Sequence, residues 1–517
     1  MEKIVETINA VIWSDALIFM CLAAGLWFSV RTRFMQLRGF AEMCRLTVGG
    51  QKSEAGVSSF QALAMSMAGR MGIGNIAGVA TAIAYGGPGA IFWMWVMGFL
   101  GAATSYVECT LAQIYKTKDA DGRYRGGPAY YIEKAMGLKW YAMAFAIATI
   151  VAAGLLLPGV QANAIADSAT AVLCKGENAC AAIGGVSGMK LAIGLAVAAL
   201  VGVAGMKLWI GIAVAVMLAV IIFGGVKRIA SFAEVVVPFM ALAFIGTAVV
   251  VMILNAEKVP AMFADIFSSA FGAHALFGGV IGQAIAWGVK RGIYANEAGQ
   301  GSGPHAAAAA EVSHPAKQGY VQAFAIYFDT MLVCTATAFL LLSTGVYNVF
   351  QRVTENGTEK LVAIYEKLPG VAPDQGAVMT QAAFDSVAPG MGAAFVAIAL
   401  FFFAFTTIMA YYYMAETNLN YVTGNRPSKL WVNLLRLGVI GIVIFGAYHD
   451  AKLAWALGDI GVGLMAWINV TAILIIQKPA MLALRDYERQ RKLGLDPVFD
   501  PQALGIKNAD FWSATKQ

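Results

Sequence analysis

Charge is what this chain has least of. Asp, Glu, Lys and Arg make up 13% of its 517 residues, while hydrophobic residues make up 59%. A soluble domain carries about a quarter charged residues, so polar side chains are too few here to clothe a water-facing surface. Histidine is scarce too: His274, His305, His314 and His449 stand far apart, a spacing that does not suggest a metal site. Glu108 and the loop-like Glu297 are the only acids evident at membrane depth, so a catalytic pair of ionisable groups, and with it an enzyme, is not expected. Of six cysteines, Cys21, Cys44, Cys109 and Cys334 stand singly as small apolar residues. Cys174 and Cys180 share one short loop and could pair if that loop faces an oxidising space. A cleavable leader is not expected either: the first apolar run has only Lys3 ahead of it and reaches Val30 without a small-residue cleavage site. Gly72-x-Gly74 lacks the strand context of a dinucleotide fingerprint. The net charge of +6 does not point to a nucleic-acid partner, because the cations fall where membrane topology would put them.

What the chain has instead is a succession of apolar runs of about 20 residues, each able to cross roughly 30 Å of hydrocarbon. Eleven spans are expected, near 11–30, 60–85, 90–115, 140–172, 208–225, 235–254, 277–310, 321–345, 392–415, 430–448 and 453–476. The class is therefore an all-α polytopic membrane protein, with the lipid bilayer as its main partner. Arg31, Arg33, Arg38, Arg45 and Lys52 share a side with Lys116 to Lys139, Lys227, Arg228, Lys317, Arg426, Lys429 and the basic tail from Lys478 to Lys492. By the positive-inside rule the N-terminus is outside and the C-terminus cytoplasmic. Segment 191–205 is apolar, yet counting it as a span would reverse every later loop. It reads as a re-entrant or interfacial piece, or as an extension of the fifth helix. The outer loop 347–389 has amphipathic patches at 361–368 and 381–387, suggesting short helices over an outer entrance.

Two spans carry residues that ordinary membrane helices avoid. The second contains Gly69, Arg70, Gly72, Gly74 and Asn75 at mid-membrane depth. The seventh, from Trp287 to Pro304, contains five glycines, Lys290, Arg291, Glu297 and a proline. Glycine and proline weaken helices, and unwound backbone in hydrocarbon is tolerated only where it lines a protected cavity. Close glycine packing between helices is the plainer explanation for one such cluster. Here the two breaks open successive sets of five helices that run in opposite directions, the pattern of inverted-topology repeats. At such breaks half-helix N-termini attract a carboxylate and freed carbonyls bind a cation. The chain divides accordingly into 1–56 with an extra helix, a first repeat at 57–254, a second at 255–477, and a tail at 478–517.

Gly72-Ile73-Gly74-Asn75-Ile76-Ala77-Gly78, Gly86-Gly87-Pro88-Gly89, Gly126-Gly127-Pro128 and Asn296-Glu297-Ala298-Gly299 are similar to the motifs of the alanine/glycine:sodium symporter family. The resemblance covers nearly the whole chain. Leu155 to Gln161 and Asn296 to His305 resemble the bacterial sodium:glycine members most. It implies a leucine-transporter-like fold of five-plus-five inverted repeats with one extra N-terminal helix. It also implies import of a small neutral amino acid, alanine or glycine, by sodium symport, through a monomeric transport unit in a bacterial inner membrane.

By the same resemblance, the amides of Ile73 and Gly74 hold the substrate carboxylate, with Asn75 completing the turn or touching an ion. Gln161 matches a family glutamine that reaches the substrate. Gln283, Trp287, Tyr294 and Asn296 come from the second broken helix, and Tyr411 closes the pocket from the ninth span. Walls of Ile73, Trp287 and Tyr411 leave space for a hydrogen or methyl side chain. Sodium, the coupling ion, falls to the Thr406–Thr407 pair with the carbonyls of Ala68 and Met71, although a threonine in a membrane helix also bonds back to its own helix. The family more often has threonine at the position of Ile73 and tryptophan at that of Tyr411. Arg70 calls for a partner, for which Glu108 and Glu297 are candidates; otherwise its charge occupies an ion position. A proton-coupled transporter of the same fold, using Arg70, Glu108 or Glu297, is the rival reading.

Overall fold

The computed structural model describes residues 2–48, 56–173, 203–272, 281–355, 358–449 and 451–514. The Cys174–Cys180 pairing and nearly all of segment 191–205 lie outside the described residues. Nine helices among the described residues are long and apolar enough to cross a membrane. Their outward faces confirm the solvent they need. Along Gly225–Leu254, Val235 is 71% exposed, Phe239 69% and Leu242 65%. Large apolar patches of this kind do not persist on a water-soluble monomer, and hydrocarbon accepts them.

The second and seventh expected spans are the interrupted ones. The second is a helix over Ser59–Arg70, a 3₁₀ turn over Ile73–Asn75 and a helix over Ala77–Gly86. Ser58 starts it with a capping box, its hydroxyl accepting from the Gln61 amide while Gln61 accepts from the Ser58 amide. The seventh is Ile281–Asn296, a loop, and Gly303–Ala309. The first is buried along nearly its whole length and the second from Arg291 onward, with Gly392–Val422 packed against the first and Gly89–Ile114 against the second.

Several boundaries differ from expectation for identifiable reasons. The sixth span begins at Gly225 rather than 235, so Lys227 and Arg228 ride on the helix instead of in a loop. The fourth runs over Lys139–Leu173 with a π-helical turn at Ala152–Leu156, just ahead of Pro158. Residues 361–368 were expected to be helical; instead Asn348–Glu355 and Thr358–Glu366 form an antiparallel hairpin. Both runs are rich in β-branched and aromatic residues and flank Asn356-Gly357 in the sequence, the dipeptide most typical of a two-residue hairpin turn. The other patch is helical, as Gly376–Val387. At the opposite end of the molecule the tail is docked: the Phe499 amide donates to the Ser313 carbonyl at 3.0 Å, Lys317 pairs with Asp496 at 2.6 Å, and Trp512 Nε1 donates to the Gln113 carbonyl at 2.9 Å.

Candidate binding site between two broken helices

The first break is short and tightly surrounded. Met71 leaves helical geometry (φ −79°, ψ 71°), and the Gly72 amide is taken by Asn75 Oδ1 at 3.1 Å. The Ile73 amide donates to Gln161 Oε1 at 3.2 Å. Gly72 is the point where three elements meet: a Cβ there would lie 2.8 Å from Thr407 Oγ1 and 3.1 Å from Gln161 Oε1. A side chain there would have to push one of them aside. Thr407 Oγ1 lies 2.8 Å from the Ala68 carbonyl, 3.4 Å from the Met71 carbonyl and 2.8 Å from its own Phe403 carbonyl. Four hard, neutral oxygens thus converge beside the break. Thr406 is turned away. Its hydroxyl bonds back to the Phe402 and Phe403 carbonyls at 2.9 and 3.0 Å and faces Met240.

The second break lies later in the chain than its glycines suggest. Gly288 and Gly292 are helical and serve close packing: a Cβ at Gly288 would sit 2.5 Å from the Ala90 carbonyl oxygen, and one at Gly292 2.9 Å from Met97. The unwound stretch is 297–302. Glu297 opens it with a φ of 56°, and Gly299 and Gly301 adopt 84° and 80°, backbone that side chains disfavour. Glu108 clamps this loop by accepting from the Gly299 and Gly301 amides at 3.2 Å each and from Asn469 at 2.8 Å. Asn469 also donates to the Gly299 carbonyl, and Gln300 donates to the Ile293 carbonyl, which accepts from the Glu297 amide as well.

The two breaks face one another. A Cβ on Gly74 would meet Tyr294 at 3.1 Å, and one on Gly69 would meet Glu297 Oε2 at 3.4 Å. Tyr411 lies beside both Tyr294 and Glu297. Ile73, Gly74, Gln161, Tyr294 and Tyr411 are therefore brought to one place. Asn296 turns its Oδ1 onto the Ala298 amide and leaves Nδ2 without a partner. Tyr294 Oη and Glu297 Oε2 are also buried without a hydrogen bond. Native proteins leave few buried polar atoms unsatisfied, and these three lie on the second broken helix and its break.

Trp287 and Gln283 sit elsewhere, in a cavity of about 680 Å³ with Trp13, Tyr85 and Trp455. Trp287 stacks on Tyr85 with ring centroids 4.1 Å apart. At the floor of that cavity Arg291 pairs with Asp459 at 3.1 Å, Lys290 pairs with the same acid at 2.6 Å, and Arg291 lies 5.3 Å over the Tyr294 ring. Reading the sequence missed Asp459 and also Asp329, which is buried beside Asn75. Each is a lone acid inside an apolar run, and that was the available signal. Arg70 pairs with neither proposed acid within 4 Å; its guanidinium donates to Gln322 Oε1 at 3.1 Å and Ser105 Oγ at 3.2 Å. Glu108 instead accepts from the loop amides and Asn469.

Residues 1–501 match the family model described as the sodium:alanine symporter family. The chain is 54% identical to the carrier protein YrbD of Bacillus subtilis (strain 168), over 99% of this chain and 98% of that protein. It is 50% identical to the sodium/proton-dependent alanine carrier protein of Bacillus sp. (strain PS3), over 91% and 97%. It is 35% identical to the sodium/alanine symporter AgcS of Methanococcus maripaludis, over 95% and 98%. Matches of this length, on a helical membrane protein with two interrupted helices facing each other, leave one assignment: the chain belongs to the sodium:alanine symporter family, a family of transporters and not of enzymes.

Proposed function

We propose that this protein carries alanine, and glycine through the same site, across the bacterial membrane together with sodium. The observation that supports this most is the convergence of the two breaks, with three orphaned polar atoms on one and a cluster of neutral oxygens beside the other. A zwitterion answers the first set and a sodium ion the second. The substrate carboxylate takes the Ile73 amide in place of Gln161, which then reaches the substrate itself. Tyr294 and Tyr411 crowd the side-chain end, which suits a hydrogen or a methyl. Sodium lies among the Ala68 and Met71 carbonyls and Thr407; Thr406 supports it by shaping the helix rather than by a bond. Neutral oxygen ligands let the ion leave again.

In this reading the two interrupted helices are spans as well, which with the nine continuous helices makes eleven. They open a first repeat at 57–254 and a second at 255–477, the N-terminus lies outside, and each monomer is a complete transport unit. Access alternates by rocking one helix bundle against the other around the mid-membrane site. The Arg291–Asp459 pair, between the cavity and Tyr294, is the outer gate. One sodium ion crossing about 100 mV gains roughly 2.3 kcal/mol. A tenfold gradient adds about 1.4 kcal/mol, enough together to concentrate a neutral substrate several hundredfold. Proton coupling in place of sodium is the second reading, with buried Arg70, Glu108 or Glu297 in charge of it; proton dependence stands in the names of two relatives.

The test is uptake of labelled alanine and glycine into proteoliposomes, with and without an inward sodium gradient. Sodium-dependent uptake that Thr407→Ala abolishes supports the reading. Uptake indifferent to sodium but driven by pH would replace it with the second one.

A further inference from the structure

Asn75 joins the first break to a buried acid. Its Oδ1 accepts from the Gly72 amide at 3.1 Å, and its Nδ2 donates to Asp329 Oδ1 at 2.6 Å. Asn75 thus completes the turn of the first break and ties it to Asp329. Thr337 Oγ1 donates to the Asn75 carbonyl at 2.7 Å, so the same span grips this residue twice. Asp329 is fully buried, and its second oxygen accepts from Thr330 at 3.1 Å. All its hydrogen-bond partners are neutral. It lies in an eight-residue π-helical stretch, Tyr327–Cys334, a geometry rare in helices and frequent at functional sites.

The charged groups facing Asp329 are few. Arg70 comes from the first broken helix and Glu297 from the second break. Glu108, on Gly89–Ile114, is held by the Gly299 and Gly301 amides. On its own helix the Cys334 thiol shares Asn75 Nδ2 with it, at 3.3 Å.

We infer that Asp329 is the proton-carrying group of the transport cycle, taking up one proton from the outer side and yielding it inside as alanine and sodium cross. The inference rests on the proposed sodium symport and adds a second coupled ion to it. Ionised, Asp329 holds Asn75 through a charge-assisted bond; protonated, it holds the same amide less strongly. Asn75 in turn fixes Gly72, between the Met71 carbonyl of the ion cluster and the Ile73 amide of the carboxylate site. Protonation and substrate binding therefore act on one turn, and coupling between ligands requires such a shared element. The balance is simple: one O–H bond forms at Asp329 on the outer side and the same bond breaks on the inner side. Glu108 is poorly suited to the task, because losing its charge would release the loop it clamps.

The experiment uses the full chain in proteoliposomes with trapped pyranine, and follows labelled alanine and sodium in parallel. Wild type should acidify the lumen as alanine enters. In Asp329→Asn the lumen acidification per alanine moved should fall at least about tenfold, because an amide carries no titrating proton, and Asp329→Glu should restore it. Acidification undiminished in Asp329→Asn overturns the inference. So does wild-type alanine and sodium movement without acidification, which leaves sodium symport standing. Wild type that moves neither alanine nor sodium overturns both. If Asp329→Asn does not fold, Asp329→Glu decides: a shifted pH midpoint of alanine uptake supports the proton site, and an unshifted one, as a merely structural aspartate would give, overturns it.

Discussion

The two breaks solve the same problem of unwound backbone inside a membrane, and they solve it differently. At the second, a carboxylate does the work: Glu108 spans the loop by accepting from two amides and from Asn469. At the first, the amides of Gly72 and Ile73 are taken by the neutral side chains of Asn75 and Gln161, while Thr407 lies against the Ala68 and Met71 carbonyls. Hydrogen bonds to an ion are roughly twice as strong as neutral ones. The second break is thereby a fixed post, and the first is an element whose partners a substrate or an ion can replace. A transporter needs both: something to hold the geometry of the site and something that changes state when the site fills.

The comparison is broken most severely by removing the post. Glu108→Ala strips three buried donors of their acceptor, and losing one partner from a buried charged network costs roughly 3–5 kcal/mol. The expected outcome is a large drop in the thermal stability of the detergent-solubilised protein, followed by size-exclusion chromatography after heating, with little folded carrier recovered. Glu108→Gln retains one acceptor and should fall between Ala and wild type. Next in size is Gly72→Ala. The new methyl meets Thr407 Oγ1 at 2.8 Å, at the point where the proposed substrate and ion sites touch. Alanine uptake should be lost while the folded fraction on chromatography stays near wild type. Equal losses of fold and uptake would mean that the first break is as rigid as the second.

Thr407→Ala against Thr406→Ala sharpens the contrast further. The first removes an oxygen from the convergent cluster; the second removes a hydroxyl that bonds back to its own helix and faces Met240. Losing one ligand should weaken apparent sodium affinity at least about tenfold, equivalent to about 1.4 kcal/mol. Thr406→Ala should leave it within about twofold. Sodium titration of alanine uptake separates the two.

The contrast was half legible in the sequence. That two spans are interrupted follows from glycines and charges in apolar runs, because no other residue types expose backbone so readily. Where the second one is interrupted did not follow: Gly288 and Gly292 have the composition of a break but the function of packing, and only the neighbouring Ala90, Trp93 and Met97 distinguish these roles. Thr406 and Thr407 are likewise identical in sequence and opposite in orientation. The partner of Arg70 was sought among acids, yet it is held by Gln322 and Ser105, neutral side chains that a search for opposite charge does not single out. Asp329 and Asp459 were passed over as isolated letters in hydrophobic stretches, although burial makes such letters informative. The hairpin at 348–366 had its signal in Asn356-Gly357, which a reading by amphipathic patches alone does not use.

The smallest effect expected concerns the segment that leaves the second break. Beyond Gly303–Ala309 the chain passes His314, whose Nδ1 accepts from the Ala316 amide at 3.1 Å and whose Nε2 therefore carries the proton toward Asp486 of the tail helix, 3.4 Å away. Burial holds the His314 imidazole below its ordinary range, and the hydrogen bond from His314 helps hold Asp486 below its own. The undocked tail frees His314 to bind a proton more readily than the docked one, so docking is favoured above the ordinary imidazole value of about 6.5. It weakens as pH falls through that value toward the depressed one. The contribution should be no more than about 1 kcal/mol, because Lys317–Asp496 and the Ser313–Phe499 hydrogen bond remain. Limited proteolysis of the tail should quicken modestly between about pH 7 and pH 5, and His314→Gln should remove that dependence while leaving the tail docked at neutral pH. Cleavage that accelerates equally in His314→Gln would place the pH sensitivity in another group and leave the second break's exit as fixed as its entrance.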